Sequence, residues 1–253
     1  MMKSRYLILS LAMALAASVP QSKAALILGS AGSFAVLGGS TVASSGNTVV
    51  NGDLGVAPGT AITGLPPGVV NGVIHSADTA ADQAQTAALA AYHLLAGEAV
   101  TQDLSSQDLG SLTLTPGVYK FDSSAQLTGT LTLSGNGRFD FLIGSTLTTA
   151  GSSLVLLVNG AQVDNVFWQV GSSATLGTAT QFSGSILADQ SITLTTGADL
   201  IGRALALNGA VTLDSNVITV PVPEPGTALA GAGAALLGAW QLLVVWRRKP
   251  ARS

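Results

Sequence analysis

Asp140, Asp164 and Asp189 are the mid-chain groups best suited to acid–base chemistry in this 253-residue chain. Glycoside hydrolysis would require two of them to face one substrate. Each stands alone in a polar turn or strand edge with no neighbouring base, the pattern of a turn aspartate bonded to its own backbone. His75 and His93 have no partner at metal-ligand spacing. Gly135-Asn-Gly-Arg-Phe-Asp140 carries part of a calcium-binding solenoid repeat, but it occurs once and lacks a glycine. No serine lies in a Gly-x-Ser-x-Gly elbow with a usable triad. Only Lys120, Arg138 and Arg203 are basic between residues 25 and 221, too few to stabilise the enolate-like charge of a lyase reaction. The residues therefore predict no enzyme, no metal and no cofactor.

Composition narrows the field further. Charged residues make up 9% of the chain against roughly 25% in an ordinary domain. Apolar residues, alanine included, reach 47%, and Gly, Ser and Thr supply much of the rest. A charged disordered chain is excluded. So is a nucleic-acid partner, because the pI is 5.1 and no basic stripe exists. Zero cysteines exclude a disulfide scaffold. Residues 25–221 hold three bases against twelve acids, a net charge of −9. These acids are expected at turns and on the helix, with Asp199 the exception.

Positioning elements follow from periodicity. Residues 77–96 lack Gly and Pro and are rich in helix formers. Ser76 or Asp78 can cap the start and Gly97 the end. Ala84, Ala88, Ala91 and Leu95 recur at helical spacing, a small-residue stripe suited to a flat surface. The remainder alternates. Ser111-Leu-Thr-Leu-Thr115, Gln126-Leu-Thr-Gly-Thr-Leu-Thr-Leu133 and Ser191-Ile-Thr-Leu-Thr195 put threonine on one side and aliphatics on the other. Ala174-Thr-Leu176, Ile192-Thr-Leu194 and Val211-Thr-Leu213 start 18 and 19 residues apart. Gly184 and Gly202 share the spacing of 18, as do Ala188 and Ala206. A mainly β, right-handed triangular β-solenoid is expected, with the helix along one face and the N-terminal segment capping an end. A β-sandwich also uses short strands. The regular register and the mid-chain helix favour the solenoid.

The two ends differ from the middle. Lys3 and Arg5, the apolar run 7–19 and Ser22-Lys23-Ala24 read as a secretory signal peptide over residues 1–24. Residues 227–246 are uncharged and long enough to span a bilayer, and Arg247, Arg248 and Lys249 follow. With Pro223-Glu224-Pro225 before it, the segment 222–253 resembles the PEP-CTERM sorting signal of Gram-negative bacteria. That resemblance implies an exosortase-type partner, membrane attachment before processing and a cell-surface or extracellular address. A plain single-pass anchor is the alternative.

Six segments of the middle, in order, resemble the bacterial and fungal ice-binding proteins with a discontinuous β-solenoid. They are Leu28-Gly-Ser-Ala-Gly-Ser-Phe-Ala-Val-Leu37, Asn51-Gly-Asp-Leu-Gly-Val56, the Ala/Gln-rich helix, Leu114-Thr-Pro-Gly-Val-Tyr119, Phe167-Trp-Gln-Val170 and Gly202-Arg-Ala-Leu-Ala206. The resemblance implies coils stacked out of sequence order, a helix along one face and a flat face that adsorbs to ice. It also implies a Thr-Ala/Gly-x-Thr/Asn motif on that face. Thr149-Ala-Gly-Ser152, Thr178-Ala-Thr-Gln181, Thr196-Gly-Ala-Asp199 and Ser45-Gly-Asn-Thr48 are its counterparts, departing mostly at the last position. The candidate face is thus Ser45, Thr48, Thr149, Ser152, Thr178, Thr180, Gln181, Thr196, Asp199 and Ser215. Asp199 keeps its own hydration shell and fits an ice lattice poorly.

Ice presents neither charge nor pocket, only a periodic array of oxygens. Its complement must be flat, rigid, uncharged and periodic. Threonine joins a methyl that orders water to a hydroxyl that donates and accepts, and its β-branch leaves few rotamers to lose. Threonine is also an ordinary solvent-face strand residue. The competing expectation is therefore a non-catalytic surface or exopolysaccharide-matrix protein.

Overall fold

The computed structural model describes residues 27–221. The expected signal peptide, Pro223-Glu224-Pro225, the apolar span and the basic tail lie outside the described residues. Among those described, no helix is long and apolar enough to cross a membrane.

The described chain is mainly β, built from parallel strands and one long helix. Its coils each lay one strand on three successive strips. The coil 139–158 is typical: Phe139–Ile143, then Leu147–Thr149, then Leu154–Val158. Each strand pairs in parallel with its equivalent in the next coil. Alternation decides what turns inward. Leu147, Ala174, Ile192, Val211 and Val42 occupy equivalent inward positions and are buried. Burying each larger aliphatic contributes about 1.5–3 kcal/mol. Phe141 stacks on Trp168 with centroids 3.8 Å apart, and Tyr119 and Phe182 extend the stack on either side.

Seven strands form the second strip as a separate sheet. The first and third strips belong to a single fifteen-stranded sheet that bends at paired Gly184 and Gly202. Gly202 has φ +144°, and a Cβ there would stand 1.9 Å from the Gly184 carbonyl oxygen. The 18-residue glycine spacing therefore marks a corner that admits no side chain.

Coil order departs from chain order. Coils run 102–114, 117–134, 139–158, 166–183, 185–201 and 203–219 in sequence. The N-terminal coil 34–51 then stacks on the last of these: Val36 on Ala204, Val42 on Val211 and Val49 on Val217. Coil 53–71 and the strand Ile74–Ser76 follow. The helix, α1 (Thr79–Ala96), carries the chain back along the first strip to coil 102–114.

Helix α1 starts two residues later than expected. Ala77 has φ +46°, outside the helical region. Asp78 is the cap, accepting from the Ala81 N–H at 2.9 Å, while the Ser76 hydroxyl donates to the Thr60 carbonyl. Ala84, Ala88, Ala91 and Leu95 are all buried, packed on Leu37, Leu142, Phe167, Leu187 and Leu205. Leu28 and Ala31 join that cluster, so the segment before the first coil packs beneath the helix and does not close an end.

Candidate functional site

The candidate residues fall along the corner between the second and third strips, and the structure sorts them. Ser152, Ala179, Gly197, Ser215 and Gly46 hold equivalent places, all with φ between +56° and +68°. Backbone bonds of 2.8–3.1 Å from Ser152, Ala179, Gly197 and Ser215 tie these turns to one another in stacking order. The corner quartets in true register are Gly151-Ser-Ser-Leu154, Thr178-Ala-Thr-Gln181, Thr196-Gly-Ala-Asp199 and Asp214-Ser-Asn-Val217. Thr149-Ala-Gly-Ser152 is therefore out of phase with its supposed counterparts by two residues. In each quartet the third residue turns inward and the fourth opens the third strip.

Three of the candidates are thereby corrected. Thr48 and Thr180 are 0% exposed and Thr149 only 3%. A side chain enclosed by protein touches no external surface. These hydroxyls brace the corner instead. Thr149 and Thr180 pair at 2.9 Å, Thr180 also reaches the Ala150 carbonyl, and Thr149 accepts the Gly177 N–H at 2.8 Å. Ser153 and Asn216 act alike from the equivalent inward position, Asn216 donating to the carbonyls of Thr195 and Ala198. Gln181 and Asp199 stand side by side on the third strip. Asp199 accepts the Val217 N–H at 2.8 Å.

Ser45, Ser152, Thr178, Thr196 and Ser215 remain exposed at the corner. Several of their hydroxyls are already bonded to protein. Ser45 donates to the Leu213 carbonyl, and Thr196 and Ser215 to the Asp214 carboxylate. Those bonds hold the Asp214 carboxyl below the usual carboxylate range, Thr196 contributing most.

The second strip itself presents a more regular array. Gln126, Thr148, Thr175, Thr193, Thr212, Ala43 and Thr63 are successive register partners on its outward side. Five of these seven are threonine, repeated at the ~4.8 Å spacing of parallel strands. A second outward row, Ser124, Thr146, Ser173 and Ser191, runs beside it, and Thr146 donates to Ser124 at 2.8 Å. No charged residue stands in either row. The third strip is different. Its outward side carries Leu156, Ile201, Val217 and Val69, all at least 41% exposed.

The threonine row was present in the very triplets that revealed the period, Ala174-Thr-Leu176, Ile192-Thr-Leu194 and Val211-Thr-Leu213. The corner stands ahead of it in the sequence reading because the motif implied by the family resemblance falls there, and a one-residue slip leaves the face of each strand threonine undecided.

The aspartates considered for catalysis lie apart and bonded. Two of them have the basic partner that they were expected to lack. Asp140 is 1% exposed at the second position of Phe139–Ile143, with Arg138 Nε 2.6 Å from one oxygen. Arg138 also pairs with Glu98. Asp164 pairs with Arg203 at 3.2 Å. Asp189 accepts from Gln190 and Asn208. His75 lies 2.7 Å from Asp78. Among the described residues no His, Asp and Glu gather as a metal site.

Known proteins share this fold. Residues 36–219 match the ice-binding-like family, and residues 221–249 match the PEP-CTERM protein-sorting motif. An ice-binding protein of Nostoc sp. (strain HG1) is 50% identical over 262 residues, covering 97% of this chain and 96% of its own. The crystal structure of an ice binding protein from an Antarctic biological consortium superposes with a TM-score of 0.75 at 46% identity. It spans 77% of this chain and 90% of its own. The ice-binding protein of the Antarctic ascomycete Antarctomyces psychrotrophicus gives a TM-score of 0.75 at 44% identity, over 77% and 98%.

Proposed function

The chain belongs to the ice-binding-like family, and on that premise we propose that it is an exported protein that adsorbs to ice through its threonine strip. Adsorption inhibits growth or recrystallisation of the crystal. The observation that carries this reading is the register: Thr148, Thr175, Thr193 and Thr212 stand side by side in four successive coils, with no charge in the row. Each contact is weak, and a rigid array makes them together without ordering any of them anew. The exposed corner residues Ser45, Ser152, Thr178, Thr196 and Ser215 border the array.

The finer architecture belongs to the same proposal. The three strips are the sides of a triangular solenoid, right-handed as nearly all parallel crossovers are. Residues 1–24 serve as the export signal and 25–221 as the ice-binding domain. Residues 222–253 serve as the sorting signal, with 227–246 spanning the membrane until an exosortase-type enzyme acts near Pro223-Glu224-Pro225. No catalysis is ascribed to any part.

Purified residues 25–221 contain both apolar cores, and Ser22–Val222 separates as one compact unit. This fragment is expected to inhibit ice recrystallisation and shape growing crystals at micromolar concentration. Crystals that grow as in an inert protein of equal size would return the chain to the matrix role. Within the reading, Thr193→Tyr at the centre of the row should abolish most activity. Thr178→Tyr at the border should remove less, and Gln181→Tyr on the third strip should leave it intact.

A further inference from the structure

The threonine row crosses a joint that the chain does not cross. Thr212 and Ala43 are register partners, yet 169 positions separate them in sequence. Coils 34–51 and 53–71 therefore keep their register on coil 203–219 through non-covalent bonds alone.

Arg203 stands at this joint. It is one of three bases in residues 25–221, and it is 3% exposed. Its Nε donates to the Gly32 carbonyl at 2.8 Å, inside the 3-10 turn Gly29–Ser33 and two residues before the strand Phe34–Gly38. Its Nη1 donates to Asp164 at 3.2 Å and to Ser185 in the preceding coil at 3.3 Å. Pairing of the two coils begins at the next residue, Val36 on Ala204 and Leu37 on Leu205. One guanidinium thus holds the entry of the N-terminal coils, the neighbouring coil and the loop containing Asp164. A buried ion pair is a poor source of stability, and apolar replacements often do as well. Fixing a register is the best-attested use of such a pair.

We infer that Arg203 is a positioning residue: it sets the N-terminal coils in register on the C-terminal ones, so that the threonine row continues unbroken from Gln126 to Thr63. This rests on the ice-binding reading above. Arg203 touches no ice. It acts through Gly32 and the first N-terminal strand on Ala43 and Thr63.

The test uses residues 25–221 as wild type, Arg203→Met and Arg203→Lys, each also carrying Asn51→Cys and Thr219→Cys. Asn51 and Thr219 are register partners across the joint, and adjacent parallel strands lie within disulfide reach. Recrystallisation end points and hydrogen exchange are read in the cold, where circular dichroism confirms folding. In Arg203→Met, exchange should quicken in residues 34–71 and stay slow in 117–170. The end-point concentration should rise several-fold, and the cystine should restore both. Lysine, with one nitrogen for three acceptors, should fall between. An unchanged end point, an even quickening throughout, or a cystine that restores nothing overturns the inference. Should Arg203→Met not fold, Arg203→Lys is read by the same criteria. A wild type without ice activity sinks the ice-binding reading instead, while the exchange pattern still decides the role of Arg203 at the joint.

Discussion

Asp140 is the second residue of Phe139–Ile143, with Arg138 on one carboxylate oxygen and no partner for the other. Burial raises its pKa from 3.8 to about 6, and the attraction of Arg138 offsets only part of that. The folded state therefore binds this proton more tightly than the unfolded state does. Stability from Asp140 is full below about pH 4 and is lost as pH rises towards about 6, by at most about 3 kcal/mol. Asp78, Asp103, Asp108 and Asp214 have lowered pKa values and act the opposite way, below about pH 4. The two windows do not overlap. Urea midpoints of the wild type should fall between pH 4.5 and pH 7.5 relative to those of Asp140→Asn. A constant difference between the two proteins would refute the assignment. Side-chain type alone misled at this scale. An aspartate two residues from an arginine reads as a surface turn, and Thr180 reads like Thr178, although one faces inward and the other outward. Thr180→Val, which removes the acceptor of the Thr149 O–H and one of the two hydroxyls on the Ala150 carbonyl while Gly177 and Ser153 keep their bonds, should cost about 0.5–1.5 kcal/mol. It should leave ice shaping per folded molecule unchanged.

Elements were more legible than residues, because periodicity averages over single ambiguities. The stripe of three alanines and Leu95 identified α1 and its buried face, the alanines letting the helix lie close to a sheet. The inward positions of its four members confirm it. Only its start was misplaced, because the φ of Ala77 is set by the strand before it. Ala88→Leu should therefore cost about 1–3 kcal/mol by overpacking against the first strip. Asp78→Ala should cost about 0.5–2 kcal/mol by removing the cap. Thermal melts of the two variants measure both, and an Ala88→Leu protein as stable as wild type would mean the helix is loosely docked. Strands were legible for the same reason, and the spacing of Gly184 and Gly202 marked the period, although only the structure shows that the pair makes a corner. The corner phase was not legible. A four-residue motif aligned by threonine alone slid two residues in one coil, and only the positive φ at Ser152 and Ala179 sets it right.

At the scale of the whole molecule, sequence order and spatial order part company, and no local pattern reveals this. Coil 34–51 pairs on both sides with coils that nothing in its own residues identifies. Resemblance to a family supplied that expectation, and the pairing of Val42–Ser45 with Val211–Asp214 bears it out. The arrangement has a kinetic consequence. The N-terminal coils are synthesised first, yet their template, coil 203–219, comes last. Contacts of such long separation slow folding. A circular permutant removes the detour. Val220 and Ser33 already lie together, since a Cβ on Gly52 would touch the Val220 side chain at 2.7 Å and the Ser33 carbonyl at 3.3 Å. Joining Pro221 to Ile27 through a short Gly/Ser linker and opening the chain between Ser76 and Asp78 puts the helix first and every coil in stacking order. The permutant should reach the same structure, keep ice activity and refold faster than the natural order in a stopped-flow comparison at equal urea. Equal refolding rates would show that coil closure within either block, and not the joint, limits folding. Loss of ice activity in a folded permutant would show that the threonine row depends on the helix connection as well as on the joint.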